Sequence, residues 1–291
     1  MSKRLFDIVT DSGCDMPQEY YEEHNVTCIP LGFMMDGVNY EGVDGEHISV
    51  QDFYNKLREG RTPTTYQITA ETAKPFIEKI LKAGRDVFVL AFSSGLSGTA
   101  NSFATVAKEL AEDYPDRKIA VVDSLAASMG QGLLLDYVIK KADSGASLDD
   151  TVAYAEDLKL HICHCFTVDD LFHLKRGGRC SSASAIIGSI LKIKPLLHVD
   201  DAGKLVVIGK TIGRKRAISA TVDNLLSKLD FEEGEPIFIS HGDCMDDVEY
   251  MKKLVKARLP KVEIFVNYIG AVIGSHSGVG TIALFARGSN R

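Results

Sequence analysis

The feature that most constrains this chain is the run Val87-Phe88-Val89-Leu90-Ala91-Phe92, apolar at every position. It passes directly into Ser93-Ser94-Gly95-Leu96-Ser97-Gly98-Thr99 and then into a helical pattern from Thr99 to Glu112. A strand apolar on both sides must be buried on both sides, and a parallel sheet covered by helices provides that burial. The same alternation recurs around it. Asp7 to Thr10 reads as a buried strand closed by Asp11-Ser12-Gly13, and Lys118 to Val122 as a strand closed by Asp123-Ser124. Helices are predicted over Val50 to Glu59, Ala70 to Ala83 (stopped by Gly84), and about Met129 to Asp143. Strands alternating with helices of this length predict an α/β sheet with helices on both faces.

After a helix at about Leu148 to Lys159 the texture changes. His161 to Thr167 reads as a strand, Asp169 to Arg176 as a helix stopped by Gly177-Gly178, and Leu196 to Val199 with Leu205 to Ile208 as a hairpin around Asp200-Asp201-Ala202-Gly203. Ser181-Ser182 is placed to cap an apolar helix carrying Ile186, Ile187, Ile190 and Leu191. Helices at Arg216 to Leu229 and Asp246 to Leu259, and strands at Pro236 to His241, Val262 to Val266 and Thr281 to Ala286, complete the chain. With 291 residues there is material for two domains, and the change of texture puts the boundary near residue 155, giving 1–155 and 156–291.

Charge and composition exclude several function classes. Thirty-three basic against 40 acidic residues leave a net charge of −7, which disfavours a duplex nucleic-acid surface. No apolar run approaches the roughly 18 residues of a membrane span, and the start Met1-Ser2-Lys3-Arg4 leads into a strand pattern rather than a signal peptide. A cytoplasmic protein without stable membrane insertion is expected. The six cysteines are then expected to be reduced thiols.

Chemistry can sit where strands hand over to helices. In an open parallel sheet ligands bind at the carboxyl ends of the strands, and a helix N-terminus there offers free N–H groups to an anion. Ser93 to Thr99 supplies four hydroxyls and two glycines at such a place, without the Gly-Lys-Ser/Thr of a phosphate loop and without a Gly-x-Ser-x-Gly elbow. Asp11-Ser12 and Asp123-Ser124 occupy equivalent positions, either as turn caps or as site residues. Pro63-Thr64-Thr65-Tyr66-Gln67 reads as a hydroxyl-rich loop. Gly274 to Thr281 reads as a glycine-dense loop presenting His276. His161-Ile162-Cys163-His164-Cys165 lacks a second ligand pair and is read as core rather than as a metal site. Lys175 to Arg179 and Gly213 to Arg216 are basic clusters, either helix-end cations or a docking patch for an anionic partner.

Taken in order, Asp11-Ser12, Thr-Thr-x-Gln at Thr64 to Gln67, Ser-Ser-Gly-Leu-Ser-Gly-Thr at Ser93 to Thr99, Asp123-Ser124, Leu-Lys-Arg-Gly-Gly-Arg at Leu174 to Arg179, and His-Ser-Gly-x-Gly at His276 to Gly280 make a specific series. The whole chain resembles the DegV family of bacterial fatty-acid-binding proteins, which includes the FakB subunits of fatty acid kinase. The resemblance implies a three-layer α/β/α N-terminal domain with a parallel sheet and a two-layer α/β C-terminal domain with a mixed sheet. It implies a long-chain fatty acid in a tunnel between them, for which Ile186, Ile187, Ile190 and Leu191 are wall candidates. Carried over, the carboxylate ligands would be Thr65, Ser94 and His276, with the Gly95 amide as a neighbouring donor. The acid would keep His276 protonated. An ATP-dependent kinase subunit would phosphorylate the carboxylate, docking on a face that includes Arg179 and Arg214. The binding protein itself would carry no nucleophile, metal or cofactor. Tyr66 and Ile212 stand where relatives often have serine and arginine, and Ser277 and Val279 where they often have threonine and proline. Two other classes remain open from the residues alone: a hydrolase or phosphotransferase using Asp11, Ser94 and His276, and a nucleic-acid-binding regulator using the basic clusters.

Overall fold

The computed structural model describes residues 4–180, 193–230 and 234–291. The four wall candidates Ile186, Ile187, Ile190 and Leu191, and the Ser181-Ser182 cap, lie outside the described residues.

Strands Val26–Ile29, Asp7–Asp11, Val87–Ala91 and Ile119–Asp123 lie side by side in that order, every neighbouring pair parallel. Side chains alternate across a strand, so each face collects its own apolar set. Ile8, Phe88 and Leu90 share a core cluster with residues of helices Met129–Asp143 and Leu148–Leu158. Val9, Val87, Val89 and Ala91 share another with helices Ala70–Lys82 and Thr99–Asp113. This is the doubly covered parallel sheet that the apolar run at Val87 demanded.

The second sheet has six strands in the order Leu205–Ile212, Ile193–Val199, Ile162–Thr167, Ile282–Arg287, Ile237–His241 and Ile264–Tyr268. Only its last pair is parallel, so the sheet is mixed. One face, with Cys163, Cys165, Ile239 and Leu284, packs on helices Arg214–Leu226 and Met245–Arg258. The other turns Phe166, Phe238 and Phe285 toward Met129–Asp143. That helix therefore has apolar neighbours from both sheets and is buried almost all round. Gly130 makes the fit possible, because a Cβ there would lie 2.1 Å from the His164 ring. The boundary expected at residue 155 falls inside Leu148–Leu158, and from Ile162 onward the strands belong to the second sheet.

Two local readings need correction. Thr64–Tyr66 is a strand rather than a loop, the edge of a three-stranded antiparallel sheet with Gly32–Met35 and Val38–Glu41. Phe33 and Met35 of that small sheet pack with Phe53 and Tyr54 of helix Val50–Arg58. His276 belongs to a short helix, Ala271–Ser277, rather than to a glycine loop. In both places tertiary packing overrode the turn-like composition.

Candidate functional site

A cavity of about 650 Å³ opens where the carboxyl end of the parallel sheet meets the inner face of the mixed sheet. Its body is apolar, walled by Leu31, Phe92, Phe166, Leu205, Val272 and Phe285 among others. Thr65, Gln67, Ser94, Gly95, Arg179 and His276 line it too, and several of these are tied to one another. Thr65 Oγ1 lies 2.7 Å from His276 Nε2. The Gly98 amide donates to Gln67 Oε1 at 3.1 Å, and Arg179 Nε donates to the Leu96 carbonyl at 3.4 Å. The Gly177 Cα faces the His276 ring so closely that a Cβ there would come within 2.3 Å of Nδ1. Hydroxyls, an imidazole and a guanidinium thus line the same cavity.

Each of these groups is placed by its element. Thr65 pairs with the fully buried Phe33, which turns its side chain inward. Ser94 and Gly95 lie in the turn that ends Val87–Ala91 and opens Thr99–Asp113. The Ser94 amide donates to Asp123 Oδ1 at 3.1 Å and the Gly95 amide to Ser93 Oγ at 3.2 Å, so the Gly95 N–H already has a partner inside the turn. Gly95 is also pressed against the second half of the chain: a Cβ would sit 2.6 Å from the Ala202 carbonyl oxygen and 2.7 Å from that of Gly203. Ser93 Oγ donates to the Gly203 carbonyl at 2.8 Å.

Electrostatics favour an anion at this end. Burial, with Arg179 adding to it, pushes the His276 pKa down to about 4. The imidazole is therefore neutral at pH 7 in the ligand-free cavity. When Nε2–H donates to Thr65 Oγ1, the Thr65 hydroxyl proton is left for a ligand. Arg179, expected only on a docking face, lines the cavity itself, and its Nη1 donates to the Gly177 carbonyl at 2.6 Å. Arg214 does not line the cavity; its Nε donates to Asp247 Oδ2 at 2.8 Å, and its Nη2 to the Gly280 carbonyl.

Asp11 stands apart from these groups. Its Oδ1 accepts from the Gly13 amide at 2.9 Å and its Oδ2 from the Phe92 amide at 2.7 Å, and burial pushes its pKa up to about 7. It does not line the cavity, and His276 bonds Thr65 rather than a carboxylate. The constellation of Asp11, Ser94 and His276 that a hydrolase would need is not assembled. His164 is also committed: Nδ1–H donates to the Ile162 carbonyl at 2.9 Å and Nε2 accepts from the Ala127 amide at 3.3 Å. Among the described residues no group of three or more His, Cys, Asp or Glu is placed to hold a metal ion.

One polar cluster had no local sequence signal. Ser128 and Ser240 both line the cavity, with their hydroxyls 2.9 Å apart, and Ser128 Oγ donates to Asp15 Oδ2 at 2.5 Å. Asp15 Oδ1 accepts from the Gly270 amide at 2.9 Å, just ahead of the helix that carries His276. Four distant segments meet there, and only the fold brings them together.

The chain from residue 5 to 288 matches the family model described as "Uncharacterised protein, DegV family". A DegV domain-containing protein of Clostridium perfringens is 41% identical over 289 residues, 99% of each chain. The chain belongs to the DegV family. Solved structures agree. A DegV family protein of Thermus thermophilus, described by its fatty acid binding, superposes with a TM-score of 0.85 at 31% identity, covering 99% of this chain and 100% of that one. DegV of Bacillus subtilis, described as a fatty acid binding protein, gives 0.83 at 31% identity over 97% and 98%. A stearic acid-binding protein of Eubacterium ventriosum gives 0.87 at 27% identity over 96% and 97%. Fatty acids are thus bound by the structural neighbours of this DegV chain. Among its described residues, no helix is long and apolar enough to cross a membrane.

Proposed function

We propose that this DegV chain binds one long-chain fatty acid in the 650 Å³ cavity, with the acyl chain in the apolar body and the carboxylate at Thr65, Ser94, Arg179 and His276. The observation that carries the reading is the union, in one cavity, of an apolar body and polar groups that include the hydrogen-bonded Thr65–His276 pair. The volume falls within the roughly 300–1,000 Å³ of small-molecule sites. An unpaired carboxylate could not be buried there, and hydroxyl donors with a nearby guanidinium supply what it requires.

The protein presents rather than converts its ligand. Ser94 is exposed, so a carboxylate beside it stays within reach of a partner's active site. An ATP-dependent kinase subunit docks on the face that includes Arg179 and Arg214 and transfers a phosphoryl group to the carboxylate, feeding bacterial phospholipid synthesis in the cytoplasm. The acyl tunnel runs between the lobes 1–155 and 156–291.

Lipid extraction from the purified protein, followed by mass spectrometry, tests the binding step, and a stoichiometric C16–C18 acid is expected. Incubation with ATP, magnesium and fatty acid tests the second step. Acyl phosphate is expected only when the kinase is added, and product formed by this chain alone would refute the presenting role.

A further inference from the structure

Arg291 is 7% exposed, and the hydrogen bonds of its guanidinium all go to main-chain carbonyls. Nε and Nη2 donate to Lys159 O at 3.1 and 2.6 Å. Nη1 donates to Leu125 O at 2.5 Å and to Asp200 O at 3.0 Å, and Nη2 also donates to Ser124 O at 3.2 Å. Three segments are therefore held by one side chain: the loop after the Ile119–Asp123 strand, the end of helix Leu148–Leu158, and the Asp200 turn.

Two of those segments touch the Ser93–Gly98 turn. The Asp200 turn is internally fixed, with Asp200 Oδ1 accepting from the Ala202 and Lys204 amides at 3.0 and 2.8 Å. Its far side receives the Ser93 hydroxyl and closes against Gly95. In the other loop, Asp123 Oδ1 accepts from both the Ser94 and the Leu125 amides, and Leu125 is held at a φ of 49°.

We propose that Arg291 is a positioning residue for the polar end of the cavity. It fixes the Ser124–Leu125 loop and the Asp200–Lys204 turn relative to each other, and through them sets the Ser93–Gly98 turn that carries Ser94. A planar guanidinium with five N–H donors serves this geometry, whereas a lysine ammonium has three donors on one point charge. Burial pushes the Arg291 pKa down to about 10, which still leaves it cationic at neutral pH, with Asp201, Asp200 and Asp123 nearby to offset the charge. The effect on ligand rests on the fatty-acid reading above; the effect on the two loops does not.

The experiment uses the full chain as R291K, as its neutral counterpart R291Q, and as S93A, which cuts the Ser93–Gly203 contact separately. Amide hydrogen exchange without ligand and palmitate dissociation constants are measured on each, with the R291K/S93A double variant completing a cycle. R291K is expected to raise exchange roughly tenfold at Ser94–Leu96 and Ala202–Lys204, to leave the Ile282–Arg287 strand unchanged, and to weaken palmitate binding roughly tenfold, about 1.4 kcal/mol. The double variant is expected to be no weaker than the weaker single one, because both act on the same contact. A uniform rise in exchange with unchanged palmitate affinity would overturn the inference, as would additive losses in the cycle. A wild-type protein that fails to bind palmitate would contradict the fatty-acid reading, while the exchange pattern would still decide the role of Arg291.

Discussion

Thr65 Oγ1 and His276 Nε2 lie 2.7 Å apart although 211 residues separate them in the chain. An edge strand and a one-to-two-turn helix from opposite ends of the sequence therefore share one hydrogen bond at the cavity. In the fatty-acid reading proposed above, the histidine orients the hydroxyl that meets the ligand.

Removing that hydroxyl should weaken binding without unfolding the protein. Thr65 is half-buried on an edge strand, and T65A deletes a donor to a charged acceptor, a loss of about 1.5–3 kcal/mol. Palmitate affinity should fall roughly 10- to 150-fold in T65A, with T65S retaining most of it. Fluorescence titration with wild-type affinity in T65A would remove Thr65 from the site.

Binding should be linked to proton uptake. The His276 pKa is held down at about 4 without ligand, and a carboxylate placed beside the Thr65–His276 pair favours the charged imidazole and raises that value. The complex then holds more proton than the free protein at pH between about 4 and the raised value, so affinity rises as pH falls through that range. Calorimetry in two buffers of different ionisation enthalpy reads the uptake directly. Zero uptake at pH 6, or the same uptake in H276N, would contradict the linkage.

Asp15, whose pKa is shifted in the opposite direction to that of His276, makes a stability prediction. Burial raises its pKa from 3.8 to about 7. A raised value means its contribution is fully present below pH 3.8 and is lost as pH rises through 7. D15N keeps an acceptor for the Gly270 amide and contributes nothing that titrates. Its thermal midpoint should match the wild type below about pH 4, exceed it increasingly as pH rises toward 7, and keep a constant excess above that. Parallel curves for the two proteins would show that Asp15 does not titrate in that window.

At Gly95 the prediction is steric. A methyl group would approach the Ala202 and Gly203 carbonyls at 2.6 and 2.7 Å, and both are main chain. G95A should therefore cost about 1–3 kcal/mol of stability, the range of an overpacked site, and should also weaken fatty-acid binding. Chemical denaturation and ligand titration on the same preparation measure both. Unchanged values for both would mean that the two halves are not in contact there.

How much of this was legible in the sequence depends on the range of the forces involved. The parallel sheet was, because Val87 to Phe92 and the helices around it state their burial in consecutive residues. Strands Gly32–Met35 and Val38–Glu41 were not: they are four residues each, with mixed burial, and exist by pairing with Thr64–Tyr66. The placement of Thr65, Ser94, Gly95 and His276 around one cavity followed from the family motifs rather than from local pattern. Arg179 was marked by a family motif, but for a docking face and not for the cavity lining; Asp15 beneath Ser128 and Arg291 between three segments had no such guide, since each is defined by partners more than 80 residues away.

A crystal structure with hexadecanoic acid carrying bromine at its terminal carbon tests the central claim most directly. The bromine's anomalous signal marks the methyl end, and the density fixes the carboxylate. The carboxylate oxygens are expected within about 2.7–3.2 Å of Thr65 Oγ1 and Ser94 Oγ, with bromine in the apolar body away from His276. Bromine at Thr65 and His276, or an acid bound outside this cavity, would contradict the account.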